Sequence, residues 1–180
     1  VAQLEASFDQ MMSIADMRHK KFPRLRKTAA KRTLVGEQEQ LFLSGPGRGA
    51  SPIQRSLWRD LKTARDVRLM VPYFLPPWRL RRSLQRVARR GGRVQLILPG
   101  QCDVALSQLA ARSFYQRLLR AGVEVYEYQP QILHAKLFLV DDAVYVGSAN
   151  LDRRSLQLNY ELMVRFNEPV MVARANAVFD

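Results

Sequence analysis

A chain of 180 residues is long enough for one compact domain, and its 47% hydrophobic and 25% charged residues exclude a disordered or fibrous protein. The single cysteine, Cys102, excludes an intrachain disulfide framework and a cysteine-rich zinc cluster, and no apolar run reaches the ~18 residues of a membrane span. A net charge of +13 suits a polyanionic partner, either nucleic acid or an anionic lipid surface.

The first fifty residues are predicted to contain a helix, a basic linker and a first strand. Residues 1–13 place apolar side chains at three- and four-residue steps, which indicates an amphipathic helix. Residues 18–32 carry eight lysines and arginines and no acid, and Pro23 interrupts any helix, so we interpret them as an exposed basic linker. A short strand is predicted over Gln40–Ser44.

Residues 51–180 have the pattern of an α/β core. Ser51 and Pro52 are a helix N-cap and a first helical residue, and this helix is expected to end near Arg65. Apolar runs and helical stretches then alternate as in a βαβαβ unit with parallel strands. The predicted elements are a strand at 67–75, a helix at 79–90, a strand at 94–99, a helix at 104–120 and a strand at 123–128.

Three short apolar runs close the pattern, at 133–140, 143–149 and 159–166. Only Asp141 and Asp142 separate the first two runs, which predicts a tight hairpin. The whole chain, 1–180, is therefore predicted to be a single α/β domain with a mixed β-sheet and helices packed on its faces.

The first of these runs contains two polar residues that a packed strand would not need. His134 and Lys136 are two residues apart, so in a strand both side chains project from one face. The opposite, packing face would carry Leu133, Ala135, Leu137 and Leu139. Because an unpaired buried imidazole or ammonium is costly, this polar face is a candidate site.

The other two runs repeat the same spacing. Gly147 permits a close backbone approach, and Ser148 and Asn150 lie two residues apart beyond it. Asn159 and Glu161 repeat the arrangement on the third run. If the three strands are adjacent, all these groups converge on one patch, and an anion such as a phosphate is its natural ligand.

These motifs resemble those of a known family. His134-x-Lys136-x4-Asp141, followed by Gly147-Ser148-x-Asn150, resembles the HKD signature of the phospholipase D superfamily. The stretches VPYFLPPWRL and GSANLDRRSLQLNYEL are similar to the C-terminal half of bacterial cardiolipin synthases, and the resemblance covers at least 67–166. It implies a phospholipase D-like α/β/α sandwich with helices on both faces, forming one half of a two-motif enzyme.

The resemblance also implies a reaction that needs neither a metal nor a cofactor. One histidine attacks phosphorus and forms a phosphohistidine, while a second histidine protonates the leaving alkoxide and then activates the incoming alcohol. His134 would be one of this pair, and by analogy with the family it is the general acid. Glu161 would accept a hydrogen bond from the imidazole ring and fix its tautomer.

The remaining motif residues divide into two groups. By the resemblance, Lys136, Ser148 and Asn150 would hold phosphate oxygens. Asp141, at a strand end, and Gly147 are interpreted as structural residues of the motif.

Half of the expected active site is missing from this sequence. The only other histidine, His19, has no HxK context. Either a second copy of the chain completes the site, or the chain is a fragment whose N-terminal HKD half lies elsewhere in the same protein. The match to a C-terminal half and an uncapped helix at 1–13 favour the fragment.

Three functions remain open. We favour a cardiolipin synthase-like transphosphatidylase that acts on phosphatidylglycerol, as a peripheral enzyme at an anionic membrane surface, the cytoplasmic face of the bacterial inner membrane. The alternative is a homodimeric nuclease of the phospholipase D type, although the NLDRRSLQLNYEL stretch favours lipid over nucleic acid. A basic binding module without catalysis is the third, and the phased polar residues argue against it.

Several residues allow two interpretations each. The seven arginines within 79–93 form either a solvated helix surface or a contact with lipid head groups. Trp58 and Trp78 are either membrane-interface anchors or core and groove residues. Asp103 is either a ligand-facing loop residue or a helix N-cap.

Overall fold

The computed structural model of the chain describes residues 31–36, 38–46 and 49–180. The strands in these ranges are β1 (Arg32–Val35), β2 (Glu39–Ser44), β3 (Asp66–Met70), β4 (Arg93–Pro99), β5 (Glu124–Tyr128), β6 (Leu137–Val140), β7 (Ala143–Gly147) and β8 (Glu161–Phe166). The helices are α1 (Pro52–Leu61), α2 (Trp78–Arg89), α3 (Ala105–Arg112), α4 (Tyr115–Leu119), α5 (Arg153–Gln157) and α6 (Pro169–Phe179).

All the described strands form one mixed sheet in the order β1-β2-β8-β7-β6-β3-β4-β5. The strands β3, β4 and β5 are parallel, which confirms the predicted βαβαβ unit. The strand β6 pairs antiparallel with both β3 and β7, and Val140 lies opposite Ala143. The predicted tight hairpin is therefore confirmed, with Asp141 in the left-handed region at φ 49°.

Helices cover both faces of the sheet, as predicted. The larger core lies between one face of the sheet and the helices α1, α2, α3, α4 and α5. It includes Phe138 of β6 and Tyr145 of β7. The smaller core joins α6 to the other face, where Leu139 and Val144 pack against Phe179. Neighbouring strand residues thus alternate between the two cores, which is the period-two pattern of a strand buried on both faces.

The start of the core follows the predicted capping pattern. Ser51 is the N-cap of α1, its side chain accepts from the backbone N–H of Gln54, and Pro52 is the first helical residue. The helix ends at Leu61 instead of near Arg65.

Two other predicted elements are too long. The predicted strand at 67–75 ends at Met70, because the prolines that follow cannot donate to a ladder. The predicted helix at 104–120 is divided into α3 and α4. At the break, Ser113 Oγ donates to Ala110 O at 2.6 Å, which is the local bond by which serine competes with helical pairing.

The N-terminal predictions are only partly described. The predicted helix at 1–13 and most of the predicted linker at 18–32 lie outside the described residues. At its end the linker prediction is wrong, because Arg32 begins β1, which pairs with β2 at the edge of the sheet. The helix α6 was not predicted either.

A polar network joins α1 to the middle of the sheet. Asp60 Oδ2 accepts from Tyr145 OH at 2.6 Å and from Arg165 Nε at 2.8 Å. Ser56 Oγ lies 2.9 Å from the same tyrosine hydroxyl. Burial acts to raise the pKa of Asp60, but the hydrogen bonds that it accepts outweigh burial and hold this pKa below its usual value. The network therefore fixes α1 on the sheet.

No helix within 31–36, 38–46 and 49–180 is long and apolar enough to cross a membrane.

Candidate active site

The predicted site residues meet where the central strands of the sheet end. This line of strand ends is called the active-site edge, and it is distinct from the edge strand β1. Because β6, β7 and β8 run alternately up and down, the start of β6, the end of β7 and the start of β8 lie side by side. Met70, at the end of β3, is paired with Leu137, at the start of β6. The carboxyl ends of the parallel strands therefore lie at this same edge, where open α/β sheets bind their ligands.

Four of the predicted site residues lie just outside the strands, which corrects the prediction that placed them within, whereas Glu161 is the first residue of β8 as predicted. His134 and Lys136 precede β6, and the structure leaves the side chain of Ala135 exposed instead of packed. Ser148 and Asn150 follow β7. The chain is not paired in the sheet at these points, so the alternation of side chains between two faces no longer applies there. Leu133 nevertheless packs in the smaller core.

Gly147 brings β7 unusually close to β8. A Cβ atom at this position would lie 2.1 Å from the carbonyl oxygen of Leu162 and 2.8 Å from Cα of Met163. Both neighbours are backbone atoms of a central strand and cannot move aside. The glycine is required for the close approach that places Ser148 over β8.

We expect Gly147→Ala to lower the free energy of unfolding by at least ~2 kcal/mol, the range of an overpacked core. Urea denaturation measures this effect. Val146→Ala, on the exposed neighbour in the same strand, is the control and should cost less than ~1 kcal/mol. Equal stability of the two variants would contradict the close approach.

The Ser148 side chain connects β7 to Glu161. Its hydroxyl donates to Glu161 Oε2 and accepts from the backbone N–H of Leu162 at 3.0 Å. Asn159 Nδ2 donates to the other carboxylate oxygen, Oε1, at 3.3 Å. Glu161 is 9% exposed, so this carboxylate is nearly buried and held at both oxygens.

Lys136 lies within the electrostatic influence of that carboxylate. Its Nζ donates to the backbone carbonyl of His134 at 2.8 Å. Burial lowers the pKa of the Lys136 ammonium, and the negative charge of Glu161 opposes this effect. The ammonium is thus partly desolvated, which strengthens its attraction for a phosphate oxygen.

We expect Glu161→Gln to lower the pKa of Lys136 further, because the substitution removes the charge that favours the ammonium. Carbon-detected NMR titration of labelled lysines measures this pKa. Glu168→Gln, at the N-cap of α6, is the control and should leave it unchanged. A pKa of Lys136 that rises or stays constant in the Glu161 variant would contradict the electrostatic contact.

The two remaining predicted groups, the His134 imidazole and the Asn150 carboxamide oxygen, have no hydrogen-bond partner in the described part of the chain. The imidazole of His134 is exposed and makes no hydrogen bond to any described residue. In particular, no hydrogen bond joins it to Glu161, the partner that the resemblance implies. Asn150 Oδ1 is buried and has no hydrogen-bond partner in the described part of the chain.

Asp141 lies at the opposite end of β6 from these groups. Its carboxylate accepts from the backbone N–H groups of Arg65 and Asp66 at 2.8 and 2.9 Å. These bonds tie the β6–β7 turn to the start of β3. The geometry gives Asp141 a structural contact and keeps it away from the polar patch.

A pair at the same sheet edge was not recognised as a pair from the sequence. Tyr73 OH donates to both carboxylate oxygens of Asp103, at 2.7 and 2.9 Å. This hydrogen bond is the largest of the effects that raise the pKa of Tyr73 to about 12. The N-cap of α3 is Val104, so the N-cap interpretation of Asp103 is wrong. Residues thirty apart in sequence give no periodic signal of such contact.

The assembled groups suit the handling of a phosphate ester. The active-site edge carries an exposed imidazole, a partly desolvated ammonium, a hydroxyl and carboxamides. A single, nearly buried carboxylate lies beside them. No group of three or more histidine, cysteine, aspartate or glutamate side chains among the described residues could hold a metal ion. The patch can bind phosphate oxygens and offer one imidazole for proton or phosphoryl transfer.

Comparisons with known proteins agree with this chemistry. A family model described as the PLD-like domain of cardiolipin synthase matches residues 57–180. The chain is 40% identical over 131 residues to cardiolipin synthase A of Proteus mirabilis and 36% identical over 131 residues to the probable cardiolipin synthase YwiE of Bacillus subtilis. These matches cover 72% of this chain but only 27% and 24% of the relatives, so it spans about a quarter of their length.

Among solved structures, the fold resembles that of Nuc, a phospholipase D family member from Salmonella typhimurium. The TM-score is 0.61 at 20% identity, and the match covers 78% of this chain and 91% of that chain.

Proposed function

The chain belongs to the phospholipase D superfamily, with the PLD-like domain of cardiolipin synthase, and on this premise we propose that it supplies half of a transphosphatidylase site. The reaction would move a phosphatidyl group from phosphatidylglycerol to the hydroxyl of a second phospholipid. The observation that carries the proposal is the convergence of His134, Lys136 and Ser148 at one edge of the sheet, beside the buried carboxylate of Glu161.

In the proposed first step, a histidine of the second HKD half attacks phosphorus and a P–N bond forms. The P–O bond to the leaving glycerol breaks, and the leaving oxygen takes a proton from His134. In the second step, the acceptor alcohol gives its proton to His134, its oxygen attacks phosphorus, and the P–N bond breaks. Lys136, Ser148 and Asn150 would hold the phosphate oxygens during both steps.

The second HKD half is a proposed partner. It would come either from the rest of a longer chain or from a second copy of this one. The relatives named above are about four times as long as the matched region, which supports the first source.

We also propose that the protein works as a peripheral enzyme on the cytoplasmic face of the bacterial inner membrane. The net charge of +13 supports attraction to anionic lipid. The exposed arginines of α2 support the same attachment, and they include Arg82, Arg86 and Arg89.

The proposal is tested with phosphatidylglycerol vesicles, following the release of glycerol and the formation of cardiolipin. A protein that contains both HKD halves should catalyse the exchange, with or without EDTA, and the 180-residue chain alone should show little or no turnover. Loss of activity on chelation, restored by one added metal, would contradict the metal-independent chemistry. Robust turnover by a monomer of the 180-residue chain would contradict the two-histidine site.

One observation favours the alternative nuclease. The match to Nuc covers 91% of that chain, so a protein of about this length can hold the fold by itself. Cleavage of DNA by a dimer of the 180-residue chain, without exchange of phosphatidylglycerol, would support the nuclease and overturn the lipid assignment.

A further inference from the structure

A groove beside the active-site edge has no role in the chemistry proposed above. It lies between α1, the start of α2 and α5, and its volume is about 610 Å³. The helix α5 follows Asn150 closely in the chain, so the groove and the polar patch share one connecting segment. The side chains that matter for its chemistry are Gln54, Trp58, Trp78, Arg79, Arg153 and Leu158.

The apolar wall of the groove is unusually open to solvent. Trp78 is 56% exposed and Leu158 is 58% exposed, while Trp58 is half-buried. Aromatic and aliphatic side chains gathered at one concave surface mark a binding surface more often than isolated apolar residues do. The wall fits a hydrocarbon chain or a flat apolar ring.

The polar lining of the groove carries only positive charge. The guanidinium of Arg79 lies 5.9 Å from the ring centre of Trp58 and 5.8 Å from that of Trp78. Arg153 bonds to the amide oxygen of Gln157 and to no carboxylate among the described residues. Since no described lining residue is acidic, the groove suits an anion.

One buried donor in the groove lacks an acceptor. Gln54 is 1% exposed, and its Oε1 accepts from the backbone N–H of Ser51 at 3.0 Å. Its Nε2 is buried and has no hydrogen-bond partner within the described part of the chain. Buried donors are almost always paired in folded proteins, so this amide points to a ligand oxygen.

We propose that this groove binds the glycerophosphate of an anionic phospholipid, with the first part of an acyl chain lying along Trp58 and Trp78. The two arginines would pair with the phosphate, and Gln54 Nε2 would donate to a phosphate or ester oxygen. A soluble phosphate ester would leave the indoles uncovered, and a zwitterionic lipid would bring a second cation towards the arginines. The inference rests on the proposed function for its substrate class and adds a lipid site outside the reacting patch.

The two tryptophans of the chain both line the groove, so intrinsic fluorescence reports on it directly. The His134→Ala chain, which cannot turn over lipid, is titrated with dihexanoyl phosphatidylglycerol below its micelle concentration. We expect a saturable blue shift of the emission. Replacing Arg79 and Arg153 together by glutamine should raise the Kd at least tenfold.

The matched control replaces two exposed arginines outside the groove, Arg117→Gln with Arg120→Gln, and should change the Kd less than twofold. An equal loss in both double variants would show unspecific charge attraction and overturn the proposal. Leu158→Ser, at a position that is 58% exposed, should also raise the Kd. If the Arg79 and Arg153 variant does not fold, an unchanged Kd for Leu158→Ser is sufficient to reject the acyl-chain contact.

The Kd values of other ligands show which chemical class of ligand the groove binds most tightly. Glycerol 3-phosphate, dihexanoyl phosphatidylcholine and a short single-stranded DNA are each expected to bind at least tenfold more weakly. Equal or tighter binding of any of them would overturn the assignment to an anionic phospholipid. No response to phosphatidylglycerol, while the protein with both HKD halves still forms cardiolipin, would reject this inference and leave the proposed function in place.

Discussion

Replacing His134 by alanine is expected to slow phosphatidyl transfer about 10²- to 10⁴-fold in a protein that contains both HKD halves, the usual loss when an acid–base group is removed. The imidazole is exposed at the active-site edge and bonded to no described side chain. The substitution should therefore leave the stability of the fold nearly unchanged. Turnover of phosphatidylglycerol vesicles and urea denaturation measure the two effects.

The matched control is His19→Ala, which removes the only other histidine of the chain and should leave turnover unchanged. A fall of less than tenfold for His134→Ala, in a folded protein, would contradict a role for this imidazole in the chemistry.

An activated substrate shows whether His134 acts as the general acid or as the nucleophile. If His134 is the general acid, the variant should still form phosphohistidine from a p-nitrophenyl phosphodiester, whose leaving group needs no protonation. Absence of that intermediate would make His134 the nucleophile.

Replacing Asp60 by asparagine should lower the free energy of unfolding by about 3 kcal/mol, the order of the cost when one partner of a buried ion pair is removed. The side chains of Asp60 and Arg165 are only 11% and 17% exposed, and their Oδ2 and Nε atoms are 2.8 Å apart. The variant would leave the guanidinium without its counter-charge beside Tyr145. Asp142→Asn, at the exposed turn of the β6–β7 hairpin, is the control and should have little effect.

The same network predicts a pH dependence of stability. The folded pKa of Asp60 is lower than its ordinary value, so its contribution is complete above the ordinary, unfolded pKa. The contribution declines as the pH falls below that value and is lost once the pH passes through the folded pKa. Stability measured against pH should therefore fall more steeply on acidification for the native chain than for Asp60→Asn. Parallel curves would contradict the lowered pKa.

Spacing within short segments was enough to assemble the polar patch from the sequence. The pairs His134 with Lys136 and Ser148 with Asn150 each lie at a two-residue step, and the hairpin turn fixes the register between them. Because the adjacent strands are antiparallel, the pairs had to meet at one edge. The prediction placed these residues inside the strands, whereas they lie just beyond the strand ends, and the antiparallel order of the strands still brings the two pairs to the same edge.

Contacts between distant segments could not be predicted in the same way. Asp60 and Arg165 are separated by 105 residues, and each alone has the pattern of an ordinary charged surface residue. Tyr73 and Asp103 are both in loops, where neither the helical nor the strand period applies. Only the folded order of the strands brings such residues together.

The central claim is that this edge of the sheet is a phosphate-binding half site, and the direct measurement is an NMR titration of the 180-residue chain with inorganic phosphate. The chain has two histidines, so the imidazole signals of His134 can be read against those of His19. We predict a saturable shift for His134 that Lys136→Ala abolishes, with no saturable shift for His19. Unchanged His134 signals, or equal and unsaturated shifts of both histidines, would contradict the claim.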